Sequence, residues 1–222
     1  MKKIVAFAAA MVAALSLASA TDITVGGRGA FGFGLGTSVE DPIELDMGKT
    51  MNFGGAVFGK IGITDTISIQ PEIGFSARKV GVKQEFSYQS YDYETEEETT
   101  ESVSYKGTVG FNTLDIPVLV GYNLELSDGL TVTPFAGPQL SLVLGKGKLG
   151  GDMDGDLEFK SSVLFDLVLG ANLGYEVGPG ALVADLRYNL GLVALKDKDS
   201  GDKICTPRAL GLSVGYQIKL GE

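Results

Sequence analysis

The chain has 222 residues, 44% of them hydrophobic, and a formal charge of −10 from 18 basic and 28 acidic side chains. That balance disfavours nucleic acid as a partner, because phosphate neutralisation needs clustered Lys and Arg. With one cysteine, Cys205, no internal disulfide can form, and with no histidine the Ser-His-Asp triad, imidazole acid–base chemistry and the usual zinc sites are excluded.

Residues 1–20 read as a secretory signal peptide. Lys2 and Lys3 precede the apolar run Ile4–Leu17, and Ala18-Ser19-Ala20 offers a small-residue cleavage site. The remainder, 21–222, is expected to form one domain. It contains no apolar run of the roughly 18 residues that a transmembrane helix needs.

Val25–Gly36, VGGRGAFGFGLG, contains a literal G-x-G-x-x-G at Gly27–Gly32. A dinucleotide fingerprint requires a helix to open inside the motif. Here glycines continue at every second position from Gly32 through Gly36, which a helix would not tolerate, while Phe31, Phe33 and Leu35 between them hold one face of a strand. No cofactor is implied. The glycines make room in a tight interior, with Arg28 turned inward toward a carboxylate such as Glu72 or Asp185.

The same period of two continues along the chain. Met51, Phe53, Val57, Ile61 and Ile63 oppose Asn52 and Lys60. Ile67, Ile69, Ile73 and Phe75 oppose Ser68, Gln70, Glu72 and Arg78. Leu114, Ile116, Val118, Val120 and Tyr122 oppose Thr113, Asp115 and Asn123. Val132, Leu140, Leu142 and Leu144 face away from Thr131, Thr133, Gln139 and Ser141. Val163, Phe165, Leu167, Leu169, Leu173 and Tyr175 oppose Ser162, Asp166 and Asn172. Leu182, Leu186, Tyr188 and Leu190 oppose Asp185, Arg187 and Asn189. Finally Leu210, Leu212, Val214, Tyr216, Ile218 and Leu220 oppose Ser213, Gln217 and Lys219. These make about eight amphipathic strands, the smallest usual number for a transmembrane barrel.

Connections alternate in length. Long ones are expected at 37–50, 88–104, 146–157 and 195–207, and short ones at 64–66, 125–129 and 178–180. Long loops at one end and tight turns at the other are the extracellular and periplasmic ends of an outer-membrane barrel. A lipocalin-like barrel shows the same alternation with its apolar face inward. Two details favour the inverted arrangement. The polar face is rich in Gly, Ala, Ser and Thr with charges of both signs, which suits a narrow lumen. Tyr122, Tyr175 and Tyr216 lie on the apolar face near the short-turn ends of three strands, where a periplasmic aromatic girdle belongs. Pro71, Pro117, Pro134 and Pro138 fall within the strands and are expected at rims or bulges.

Leu114–Tyr122 (LDIPVLVGY), Pro134–Gly145 (PFAGPQLSLVLG) and Val183–Gly191 (VADLRYNLG) resemble strand signatures of the PorT-like and OmpX/OmpW-like outer-membrane β-barrel domains. Ser213, Gly215, Ile218 and Leu220 resemble the terminal signal read by the barrel-assembly machinery. The resemblance implies an all-β fold, an eight-stranded antiparallel up-and-down transmembrane barrel in the outer membrane of a double-membraned bacterium, with lipid and that machinery as partners.

Nine charged residues are expected in the lumen: Arg28, Lys60, Glu72, Arg78, Asp115, Asp166, Asp185, Arg187 and Lys219. They could line an ion path or pair and plug an interior that eight strands leave only just large enough for side chains. The acidic segment Ser90–Ser102 is expected as a solvated loop tip that could meet an extracellular or host ligand. Gly151–Asp156 superficially matches a calcium loop. Leu157 and Val163 stand where that loop requires Gly and Glu, so no metal site is expected. The chain is therefore expected to be a non-enzymatic surface barrel. The resemblance also implies two alternatives, a narrow OmpW-like channel for small solutes and a PorT-like part in secretion.

Overall fold

The computed structural model describes residues 23–35, 50–92, 97–151, 155–160, 162–199, 201 and 203–220. The expected signal peptide and the first long loop lie outside the described residues. Eight long strands carry the architecture: β1 (Ile23–Leu35), β2 (Met51–Gly62), β3 (Ile67–Asp92), β4 (Glu97–Tyr122), β5 (Leu130–Gly151), β6 (Val163–Val177), β7 (Gly180–Gly191) and β8 (Arg208–Leu220). Each pairs antiparallel with its neighbours in sequence, and β1 pairs with β8 from Ile23↔Leu220 to Leu35↔Arg208. The result is a closed up-and-down barrel. Closure satisfies the edge groups that an open sheet would expose.

Side-chain placement is inverted relative to a soluble protein. Phe31, Phe53, Ile73, Phe75, Val120, Phe165, Leu173, Leu186, Leu212 and Val214 are exposed on the outer wall, whereas Glu72, Arg78, Asp115, Asp166 and Asp185 are buried inside. Because strand side chains alternate between faces, one register decision places all of them. The interior is not uniformly polar, however. Phe58, Leu119, Phe135, Val168 and Val183 are buried in the short-turn half, and Val80, Val109, Phe111, Val143 and Leu164 toward the long-loop end.

Four expected loops are partly sheet, one of them 195–207, where Leu195–Lys196 pairs with Lys203–Cys205. β3 and β4 pair through Asp92↔Glu97, so the 88–104 segment is mostly hairpin. Its Thr, Tyr and Val content favours a pleated backbone despite the acidic charge. Leu124–Ser127 folds back on the start of β5, and Gly155–Leu157 pairs with the end of β5.

The prolines sit neither at rims nor at bulges but at short interruptions of single seams. Pairing of β2 with β3 lapses between Phe58↔Glu72 and Ile61↔Ile69, opposite Pro71. That of β3 with β4 lapses between Pro71↔Val118 and Gly74↔Asp115, at Pro117. The β4–β5 seam lapses between Pro117↔Gln139 and Val120↔Ala136, at Pro138, and again at Pro134, between Gly121↔Phe135 and Leu124↔Val132. A proline lacks one donor, which points to one neighbour only. The seam on its other side stays paired, as Pro71↔Val118 and Pro134↔Ala171 illustrate.

Candidate functional site

The lumen holds two charge clusters built from opposite walls. In the first, Arg28 on β1 and Arg187 on β7 share Glu72 on β3 and Asp185 on β7. Arg28 donates to Asp185 at 2.9 Å and also to Glu72. Arg187 grips Glu72 with two bonds of 3.0 Å and Asp185 at 2.8 Å. Gln70 donates to Glu72 at 2.7 Å, and Ser213 at 3.1 Å and Asn172 donate to Asp185. Since β3 and β7 are opposite in the eight-strand circuit, these contacts cross the full width of the barrel. Two cations meet two anions, and every carboxylate oxygen is supplied with donors, which is what offsets desolvation of buried charge.

Glycines shape this layer. Phe58 lies over Gly26, where a Cβ would fall 2.4 Å from the ring, and Phe135 lies over Gly170, where a Cβ would fall 2.6 Å away. Arg28 stacks on Phe58 at 5.5 Å and Arg187 on Phe135 at 5.0 Å, so the aromatic rings support the guanidinium planes. Gly215 leaves room for Arg28, whose Cβ would be 2.6 Å from a Cβ added there.

The second cluster lies toward the long-loop end. Arg78 donates to Asp115 at 2.9 Å, Asp166 at 3.2 Å and Ser141 at 3.2 Å. Ser76 donates to Asp115 at 2.6 Å, and Gln139 to Asp166 at 3.2 Å. A cavity of ≈ 120 Å³ lies between the clusters, bordered by Arg28, Arg187, Arg78, Asn52 and Asn189. Lys60 stands apart, 3.5 Å from Thr133 near the short-turn end. Lys219 is exposed at that rim, paired in register with Thr24, and so lies outside the buried clusters.

Above Arg78 an apolar cluster forms a cap at the long-loop end of the lumen. Val80, Val109, Phe111, Val143 and Leu164 from the wall pack with Leu195 and Cys205, flanked by Phe159 and Ile204. Phe159 meets Phe111 edge to face at 5.8 Å. Leu195–Lys196 pairs with Lys203–Cys205 as a small hairpin over the mouth, bridged to the neighbouring loop by Phe159↔Asp197.

An inverted, closed barrel of this kind matches a known family. The model described as outer membrane protein beta-barrel domain matches residues 18–197. The chain belongs to this outer-membrane β-barrel family. No curated protein matches the sequence. Similar solved structures include Neisserial surface protein A, at 18% identity over 89% of this chain and 97% of that one, with a TM-score of 0.49. A major outer membrane protein from Thermus thermophilus is 16% identical over 89% and 99%, also with a TM-score of 0.49. The attachment invasion locus protein Ail of Yersinia pestis is 14% identical over 90% and 99%, with a TM-score of 0.43.

In this outer-membrane barrel the long-loop end is extracellular and the short-turn end periplasmic. Tyr122, Tyr175 and Tyr216 are exposed on the outer wall toward the periplasmic end, and Tyr216 donates to the Val177 carbonyl at 3.0 Å. Ile218 and Leu220, expected as part of a terminal assembly signal, are exposed on the outer wall beside them. Ser213 and Gly215 face the lumen, where Ser213 donates to Asp185 and Gly215 leaves room for Arg28.

On the extracellular surface Lys146 and Lys198 reach Glu158 at 2.8 and 2.5 Å. Their hydrogen bonds hold its carboxyl down to about 2. Because the folded value is depressed, the contribution is complete above the ordinary carboxylate range and is lost as pH falls through about 2. A carboxyl-resolved NMR titration should therefore place Glu158 well below the exposed acids. A midpoint in the ordinary range would show that the lysines do not hold it.

Proposed function

We propose that this outer-membrane barrel is a non-enzymatic surface protein. Its lumen is plugged, and its extracellular segments act in envelope integrity, adhesion or host contact. The observation that carries the reading is the contact set of Arg28 and Arg187 with Glu72 and Asp185, which crosses the lumen from wall to wall. An ion path would need that layer to part, separating charges that are each stabilised by the other. The apolar cap adds a second barrier, because a hydrophobic constriction excludes ions by dewetting. What is left for contact with the surroundings is the outer wall, covered by lipid, and the extracellular hairpins.

Purified protein in a planar bilayer should be electrically silent across ordinary voltages. Discrete open steps would overturn the plugged reading and support the alternative, a narrow channel for small solutes, which the ≈ 120 Å³ cavity between the clusters favours.

A further inference from the structure

β3 and β4 are each 26 residues long, about twice the 13 of β1 or β8. Pairing of β2 with β3 ends at Phe53↔Ala77, and pairing of β4 with β5 ends at Gly107↔Gly151. Beyond these points the two strands continue as a ribbon paired to each other without a break from Val82↔Gly107 to Asp92↔Glu97. Ten residues of β4, Glu97–Lys106, therefore have no second neighbour among the described residues. At about 3.4 Å per residue this is a projection of roughly 34 Å into the extracellular space.

The direction in which each backbone group points follows from the prolines. The β3–β4 seam lapses at Pro117, so odd residues of β4 turn their N–H and C=O toward β3. Even residues turn the other way, and Val118 and Tyr122 face Pro138 and Pro134 of β5 in the two lapses of that seam. The β3–β4 register is unshifted along its whole length, so the parity carries outward. Glu98, Thr100, Ser102 and Ser104 thus present a row of donors and acceptors along the open edge.

Natural edge strands are blunted by shortness, proline, bulges or lysine. This one is ten residues long, lacks proline and bulge, and has a single lysine at its base. Its protection is charge. Across Val82–Lys106 the sequence carries seven acids, Glu85, Asp92, Glu94, Glu96, Glu97, Glu98 and Glu101, against Lys83 and Lys106. Like charges set opposite each other oppose pairing with a second copy of this chain, whereas a basic strand is attracted.

We infer that the open edge of β4, Glu97–Lys106, is a docking site that takes an extended, basic polypeptide segment as an added antiparallel or parallel strand. The inference rests on the surface-contact reading above and names the chemistry of its partner. Main-chain bonds supply the affinity, and the acidic residues select against acidic or neutral segments.

The test uses the full-length barrel in detergent micelles and a fluorescent decapeptide of alternating Lys and Thr. Saturable capture is expected. The same peptide N-methylated at alternate residues keeps its charge but cannot form the ladder, and it should bind at least about tenfold more weakly. Thr100→Pro removes one edge donor without touching the β3 seam and should cause a similar loss. Hydrogen exchange provides a readout that needs no variant: amides of Glu98, Thr100, Ser102 and Ser104 should gain protection on peptide binding, while Thr99, Glu101 and Val103 are protected beforehand. Equal capture of the methylated peptide would show charge attraction alone and overturn the inference. Absence of capture, or unchanged exchange at the even residues, would also overturn it. A dimer broken by Thr100→Pro would replace the proposed partner with a second copy. Each of these failures leaves the plugged-lumen reading intact, since bilayer conductance tests that reading separately.

Discussion

Arg78→Met should lower the unfolding free energy of the barrel by about 3–5 kcal/mol, the usual loss when one partner of a buried ion cluster is removed. Arg78 is 6% exposed, and the described ion pairs of Asp115 and Asp166 both run to it. Methionine fills much of the same volume, so the expected loss comes from two carboxylates left facing each other rather than from a cavity. Ser76, Ser141 and Gln139 still donate hydrogen bonds, but they bring no positive charge. The check is reversible urea unfolding in detergent or lipid vesicles, read as a midpoint shift at unchanged slope. Adding Asp115→Asn and Asp166→Asn should return most of the lost stability, because the cluster would then be neutral. A triple variant as unstable as Arg78→Met alone would show that the arginine acts through packing.

How far this arrangement is legible in the chain depends on periodicity. Arg28, Glu72, Arg78, Asp115, Asp166, Asp185 and Arg187 all lie at the inward parity of long alternating segments, so a single register places them in the lumen. Parity alone does not say which acid each arginine meets. That depends on strand stagger around the barrel, and a sequence does not display stagger. Phe58 and Phe135 are legible in principle, since they share parity with Lys60 and Thr133. Their purpose becomes visible only when the register sets Gly26 beside Phe58 and Gly170 beside Phe135. The extracellular cap leaves no periodic signal at all. Leu195 and Cys205 come from a short hairpin in a long connection, and what buries them is the wall's Val80, Val109, Phe111, Val143 and Leu164, far away in sequence. The 88–104 segment reads as a loop only while acidity is weighed above its Thr, Tyr and Val content, and a paired ribbon tolerates both. Lys219 has the inward parity but sits so close to the barrel's end that its side chain reaches solvent.

Arg28→Leu is expected to destabilise the barrel by a similar amount, about 3–5 kcal/mol, for a different local reason. Here a second cation remains, but it is already committed: Arg187 binds both Glu72 and Asp185. Removing Arg28 leaves one positive charge against two negative ones in a layer where Glu72 is only 3% exposed. It also removes the guanidinium that stacks on Phe58. Because Arg28 and Glu72 are in direct contact, their substitutions should not add. The double variant Arg28→Leu with Glu72→Gln keeps one cation and one anion, Arg187 and Asp185, and should be less destabilised than the sum of the single variants. Glu72→Gln alone should also be costly, since it strands two arginines with one carboxylate. A strictly additive cycle in the unfolding midpoints would mean that the two residues stabilise the barrel independently. In that case the glycine-lined first strand would be spacing its neighbours rather than positioning Arg28 for an ion pair across the lumen.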